Sequence, residues 1–82
     1  MKSVTLYGRD GCHLCDEARA ALVSLREDGA RFSLDEIDID TDDALHAAFL
    51  ERIPVVQVDG EIVAELVCEP ARLRVALGLD GA

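Results

Sequence analysis

The chain begins with a strand, a turn and a helix in direct succession, and this beginning most constrains the fold it can adopt. In residues 3–7, apolar side chains alternate with Thr5 and Tyr7, residue types that suit a half-buried strand. Gly8-Arg9-Asp10-Gly11 has the composition of a turn, and a helix is predicted from there to Gly29. The apolar stripe of this helix consists of Leu14, Ala18, Ala21, Leu22 and Leu25. A second, parallel strand is then expected after a right-handed crossover.

The rest of the chain adds two helices and three strands to this beginning. We predict strands over residues 32–38, 53–58 and 61–66, a short helix that begins at Thr41, and a last helix from Pro70 to Gly78. The alternation within 32–38 shifts register partway, which we interpret as a bulge. The hydroxyl of Thr41 is suited to cap the second helix. Asp59-Gly60 is typical of a hairpin turn between the last two strands.

The predicted element order is therefore β-α-β-α-β-β-α. The parallel pair and the antiparallel hairpin belong to one mixed, four-stranded sheet, covered by three helices. This α/β arrangement is the minimal thioredoxin fold. A chain of 82 residues, 50% of them hydrophobic, has room for one core, so we expect a single domain over residues 1–82.

The charge of the chain narrows the classes of partner. Eight Lys and Arg residues against 17 Asp and Glu residues give a net charge of −9, which repels nucleic-acid backbones and anionic lipids. We therefore expect neither a nucleic-acid nor a membrane partner, and we expect a monomer. The N-terminal residues run straight into the first strand without a long apolar stretch, which favours the cytoplasm.

Cys12-His13-Leu14-Cys15 places two cysteines three positions apart at the predicted junction of strand and helix. Side chains at this spacing lie on one face of the first helical turn, where their sulfurs can bridge. Unpaired amides and the positive end of the helix dipole favour a thiolate on Cys12, the predicted nucleophile. Cys15, one turn inside the helix, is the predicted resolving thiol.

Charged side chains near the pair act in both directions. Arg9, and His13 when it is protonated, favour the thiolate, whereas the neighbouring carboxylates disfavour it. The carboxylates belong to Asp10, Asp16 and Glu17.

Two other functions fit the cysteine pair. Cys12 and Cys15 are spaced like half of a zinc or iron-sulfur site, for which Cys68, His13 and His46 are the other available Cys and His ligands of the chain. Alternatively, the fold is a protein-binding module whose cysteines do not turn over. The three cysteines are an odd number, which favours a reducing compartment over a disulfide-stapled secreted domain. We assign no metal ligand.

Two segments, Val4 to Cys15 and Ile53-Pro54-Val55-Val56, resemble the glutaredoxin-like branch of the thioredoxin superfamily in order and separation. The resemblance covers nearly the whole chain and implies a cis Pro54 that packs against the active-site disulfide. It also implies that the backbone of Ile53 pairs with substrate, and that Arg9 supports the thiolate and contacts a glutathione carboxylate. The candidate substrate-binding residues are Arg9, His13, Ile53 and Pro54.

Two departures from the family bear on its glutathione site. The dipeptide between the cysteines is His-Leu rather than Pro-Tyr, which predicts a less rigid loop. Where such proteins tend to carry Gly-Gly and an acidic residue, this chain has the segment 63–69, with Glu69 as the nearest candidate to replace the acid.

The resemblance implies reduction of protein or small-molecule disulfides by a dithiol mechanism. No resident cofactor is expected, and glutathione enters as a co-substrate or as the reductant, the other candidate reductant being a reductase enzyme.

Four other features have structural interpretations. Cys68 is expected to pack, Tyr7 is expected to pack near the site, and His46 lacks the neighbours of a catalytic group. The acidic run over residues 35–43 lacks the glycine and spacing of a calcium loop, so we interpret it as solvated and helix-capping.

Overall fold

A mixed, four-stranded sheet forms the centre of the structure, a computed structural model that describes residues 1–78. The expected single domain includes residues 79–82, which lie outside the described residues. The strands are β1 Lys2–Gly8, β2 Phe32–Asp38, β3 Val55–Val58 and β4 Glu61–Glu65, in the order β2-β1-β3-β4. β1 and β2 are parallel, and the other neighbours are antiparallel. The order places β1, which leads into the cysteine pair, in the middle of the sheet.

The helices are α1 His13–Glu27, α2 Asp43–Phe49 and α3 Pro70–Ala76, with a short 3-10 turn at Ile39–Thr41. The predicted order β-α-β-α-β-β-α is confirmed. Among residues 1–78, no helix is both long enough and apolar enough to cross a membrane.

The predicted cap of α2 is wrong by one residue. Asp42 is the cap, because its Oδ1 accepts hydrogen bonds from the amides of Ala44 at 2.8 Å and Leu45 at 3.2 Å. Thr41 ends the 3-10 turn instead, and its hydroxyl donates to the carbonyl of Asp38 at 2.7 Å. A carboxylate accepts two amides at once, which favours it over a hydroxyl already engaged with the preceding turn.

The bulge predicted in β2 is also wrong. β2 pairs with β1 in continuous register, from Lys2 opposite Phe32 to Gly8 opposite Asp38. The alternation changes because β2 is an edge strand: Phe32 is buried in the main core, whereas Ile37, on the opposite face, is half-buried. The register shift in the sheet lies between β3 and β4 at Val56 and Gln57.

Two apolar clusters occupy the two faces of the sheet. The main core joins the sheet to α1 and α3 and contains Val4, Leu6, Leu22, Leu25, Phe32, Val56 and Leu73. A smaller cluster joins the other face to α2 and contains Ile39, Phe49 and Val55. Both faces are therefore covered by helices, which leaves the C-terminal end of β1 and the N-terminus of α1 at the rim of the molecule.

Candidate thiol-disulfide site

The cysteine pair lies where β1 ends and α1 begins. Cys12 is the N-cap residue of α1, with extended backbone angles, and Cys15 lies in the first turn. A disulfide joins the two residues, whose Cα atoms are 5.2 Å apart. The structure thus shows the oxidised form of a pair that the helix holds within bonding distance.

The sulfur of Cys12 takes the place of a capping oxygen. The amide of Cys15 donates a hydrogen bond to Cys12 Sγ at 3.1 Å. In the reduced protein, a donor in this position stabilises a thiolate more than a neutral thiol, and the helix dipole acts in the same direction. The geometry therefore favours Cys12 as the nucleophile of the pair.

The two sulfurs differ in exposure. Cys12 is half-buried at the rim, whereas Cys15 is only 2% exposed beneath it. Of the two sulfurs, that of Cys12 is therefore the more accessible from solvent.

Gly8 makes room for Cys15, a contact that sequence reasoning missed. A Cβ at position 8 would lie 2.9 Å from Cys15 Sγ, closer than a real Cβ is found, and 3.2 Å from Cys15 Cβ, which is a tight contact. The sequence pattern assigned Gly8 to the turn together with Gly11. Only Gly11 has a turn conformation with positive φ, at +77°, whereas Gly8 is the last residue of β1.

Arg9 and His13 flank the pair with carboxylate partners. The guanidinium of Arg9 lies 3.1 Å from the carboxylate of Asp40 in the 3-10 turn, while the backbone carbonyl of Arg9 accepts from the amide of Cys12 at 3.3 Å. His13 is exposed, and its Nε2 lies 4.0 Å from the carboxylate of Glu17. The positive charge of Arg9 is thus held beside the cysteine turn by Asp40, a partner that sequence spacing does not reveal.

The peptide bond between Ile53 and Pro54 is cis, as the resemblance implies. Pro54 is fully buried. The amide of Ile53 donates to the carbonyl of Phe49 at 3.0 Å and is therefore engaged within the protein. The resemblance assigns the backbone of Ile53 to substrate pairing. Because its amide is engaged, its carbonyl is the group that remains available for that role.

The carbonyl of Pro54 connects this residue to the segment between β4 and α3. It accepts from the amide of Leu66 at 2.9 Å and from the thiol of Cys68 at 3.8 Å. Cys68 is half-buried against the main core, and burial raises the pKa of its thiol. Cys68 is therefore a packed, protonated thiol at neutral pH.

Tyr7 packs in the smaller cluster. Its ring centre lies 4.9 Å from that of Phe49, and its hydroxyl donates to Gln57 Oε1 at 3.5 Å.

His46 Nε2 lies 3.6 Å from the carboxylate of Asp40, the partner of Arg9. Among residues 1–78, no group of three or more His, Cys, Asp and Glu side chains is arranged to hold a metal ion.

Two open depressions adjoin the cysteine pair. A polar cleft of about 690 Å³ lies on the side of β2, where Gly8, Cys15, Arg19 and Glu36 contribute to its walls. A more apolar groove of about 280 Å³ lies on the side of α3, with Leu14 and Leu66 on its walls. Leu14 was predicted to belong to the apolar stripe of α1, but it is 42% exposed and lies on the wall of this groove.

Comparison with known proteins identifies the family. A family model described as Glutaredoxin-like domain (DUF836) matches residues 3–76, and the chain belongs to this glutaredoxin-like family. No curated protein matches the chain.

Solved structures show the fold. The X. campestris protein XcR50 is 39% identical, with a TM-score of 0.74 over 96% of this chain and 97% of its own. Protein Ne2328 of Nitrosomonas europaea is 28% identical, with a TM-score of 0.80 over 93% and 91%. A mutant thioredoxin of Halobacterium salinarum is 25% identical, with a TM-score of 0.67 over 93% and 71%. The predicted thioredoxin fold and the resemblance to glutaredoxins are both confirmed, and the cysteine pair in this fold indicates a thiol redox function.

Proposed function

We propose that this protein is a dithiol oxidoreductase that reduces disulfides of proteins or small molecules. The observation that carries the proposal is the hydrogen bond from the amide of Cys15 to Cys12 Sγ at the start of α1. It supports a stabilised thiolate at the rim, with a second, buried thiol within bonding distance.

In the first step, the thiolate of Cys12 attacks one sulfur of the substrate disulfide. The substrate S–S bond breaks, a mixed disulfide forms between Cys12 and that sulfur, and the other substrate sulfur leaves as a thiolate that takes a proton. The Cys15 amide stabilises the negative charge on Cys12 before the attack, and the carbonyl of Ile53 is available to accept a hydrogen bond from the substrate backbone.

In the second step, Cys15 loses its proton and its thiolate attacks Cys12 Sγ. The mixed disulfide breaks, the second substrate sulfur leaves as a thiolate and is protonated, and the disulfide between Cys12 and Cys15 remains. Two electrons and two protons have then passed from the protein to the substrate. A thiol reductant, either glutathione or a reductase enzyme, restores the dithiol, and no resident cofactor takes part.

The same proposal assigns roles around the cysteines. Arg9 provides positive charge at the rim, His13 lies beside it as a second substrate-binding residue, and Ile53 and Pro54 form the wall against which the substrate lies. We infer that the protein works in the cytoplasm, because the reductants of such a cycle are supplied there. We also infer that it works as a monomer, since the proposed cycle needs residues of one chain only.

Single-turnover reduction of bis(2-hydroxyethyl) disulfide tests the cycle. Cys12→Ser should abolish reduction, because no thiolate remains at the rim. Cys15→Ser should stop at the mixed disulfide, which mass spectrometry detects as an adduct on Cys12. Cys68→Ser, the matched control, should retain both steps. Full activity of Cys12→Ser would contradict the proposal.

The redox equilibrium of the pair provides an independent test. Alkylation and mass spectrometry of protein equilibrated in glutathione buffers should show a reversible two-electron transition near the cytosolic poise, roughly −220 to −320 mV. A protein that forms no disulfide at any poise would instead be a binding module or a metal-binding protein.

A further inference from the structure

The apolar groove beside the cysteine pair is rimmed by three large side chains that folding leaves uncovered. Leu14, Leu66 and Val67 are 42%, 48% and 66% exposed, and all three line this groove. Leu14 lies between the two redox cysteines in the sequence, so one wall of the groove belongs to the helical turn that carries the disulfide. Apolar side chains gathered at one reactive site are a feature of a surface that binds an apolar group.

Leu66 is held in a conformation that a leucine rarely adopts. Its φ is +61°, and its amide donates to the carbonyls of both Arg52 and Pro54, at 3.1 Å and 2.9 Å. Glycine adopts such angles without strain, whereas a bulky residue there is a conformational outlier of the kind found at functional sites. The two hydrogen bonds hold this backbone conformation, in which the leucine side chain is exposed on the rim of the groove.

The same two hydrogen bonds place the rim next to the substrate-pairing carbonyl. Leu66 bonds the residues on either side of Ile53, so the groove and the free carbonyl of Ile53 lie side by side. An extended peptide whose amide pairs with Ile53 would therefore bring a neighbouring side chain over the groove.

The charge of the groove distinguishes glutathione from a basic peptide as its ligand. The charged side chains that line the groove are those of Glu17 and Glu69, both exposed carboxylates. Together with the net charge of −9, they oppose glutathione, which carries two carboxylates and one ammonium group. A peptide with an apolar residue next to its cysteine and basic residues farther out matches both the walls and the charge.

We propose that the groove binds the apolar side chain adjacent to the disulfide cysteine of an extended, basic protein segment, and that Leu14, Leu66 and Val67 determine this preference. The inference rests on the proposed disulfide reduction and names its substrate class: protein disulfides rather than glutathione disulfide.

The test compares two synthetic peptide disulfides that differ at one position. Both carry lysines at the flanks, and the residue next to the cysteine is Leu in one and Ser in the other. The readout is the second-order rate constant for oxidation of the reduced protein, expressed as the ratio between the two peptides. We expect a ratio of roughly ten, equivalent to about 1.4 kcal/mol, from partial burial of the leucine.

Substitutions in the groove test whether its side chains cause the difference between the two rate constants. Leu66→Gly removes the side chain and suits the positive φ, so the ratio should fall toward one while the fold is retained. Val67→Ser should also lower the ratio. Val75→Ser is the matched control, because Val75 is 63% exposed, close to the 66% of Val67, but lies on α3 outside the groove. It should leave the ratio unchanged, and a general loss of reactivity cancels in every ratio.

The following results would overturn the groove proposal or the proposed function. A ratio of one in the unmodified protein overturns it, as does faster reduction of glutathione disulfide than of the Leu peptide. A ratio of one together with a dimer in sedimentation would assign the groove to a second copy of the chain. A protein that reduces none of the disulfides overturns the proposed function as well, whereas equal reduction of all of them overturns only the groove.

Discussion

At the scale of single residues, Gly8 is packed against a redox cysteine, since a methyl group at this position would lie 2.9 Å from Cys15 Sγ and 3.2 Å from Cys15 Cβ. The backbone of Gly8 lies outside the left-handed region, so the cost of a larger residue is steric rather than conformational. Gly8→Ala should therefore lower the free energy of unfolding by about 1–3 kcal/mol, the range of an overpacked core, as measured by urea denaturation.

A second background separates this cause from any other effect of the alanine. In Cys15→Ala protein, the nearest clashing atom is gone, so Gly8→Ala should cost less there than in the unmodified chain. An equal cost in both backgrounds would show that the Cys15 sulfur is not the obstacle.

At the scale of the elements, α2 depends on its cap. Asp42→Ala removes two hydrogen bonds to the first turn and should lower the free energy of unfolding by about 1 kcal/mol. Asp43→Ala removes the same charge from the next residue, the first of α2, and should cost clearly less. Equal losses in thermal or urea unfolding would mean that charge at the helix start, and not capping, is what matters.

The ion pair between Arg52 and Glu65 ties the turn after α2 to the end of β4. Hydrogen bonds from Arg52 lower the pKa of Glu65 below its ordinary value of 4.5. A carboxyl with a depressed folded pKa contributes stability above its unfolded pKa and loses it as pH falls through the folded value. Glu65→Gln should therefore lower Tm at neutral pH, and its deficit should shrink as pH falls below 4.5.

Glu61→Gln controls for the loss of charge from β4, because Arg52 pairs with Glu65 at the opposite end of that strand. A Glu65→Gln deficit that persists unchanged at acid pH would show that the ion pair is not its source.

For the molecule as a whole, the net charge of −9 sets the long-range field that a substrate meets. Cystamine, a dication, should react faster than neutral bis(2-hydroxyethyl) disulfide by a factor that grows as salt is removed. Lowering ionic strength from about 0.1 M to about 0.01 M extends the Debye length from about 10 Å to about 30 Å, so the ratio of their rate constants should rise severalfold. Stopped-flow measurements across a salt series would show it, and a constant ratio would contradict electrostatic steering.

Much of the architecture was readable from short stretches of sequence. Strand 32–38, the hairpin at Asp59-Gly60, the helix after Pro70 and the position of Cys12 at the start of α1 all agree with the structure. These features depend on side-chain alternation, turn composition and helix-end chemistry, which act between residues a few positions apart. The extent of the domain and the substrate roles of Arg9, His13, Ile53 and Pro54 stay predictions.

By itself, then, the sequence determined the order of the elements and the placement of a redox pair at a helix N-terminus. Only the tertiary structure decided which residues crowd or support that pair: Gly8 beside Cys15, Asp40 beside Arg9, and Leu66 beside Pro54. The physical reason is that these contacts join residues that meet only after strands pair and helices pack, and sequence periodicity carries no information about such distances.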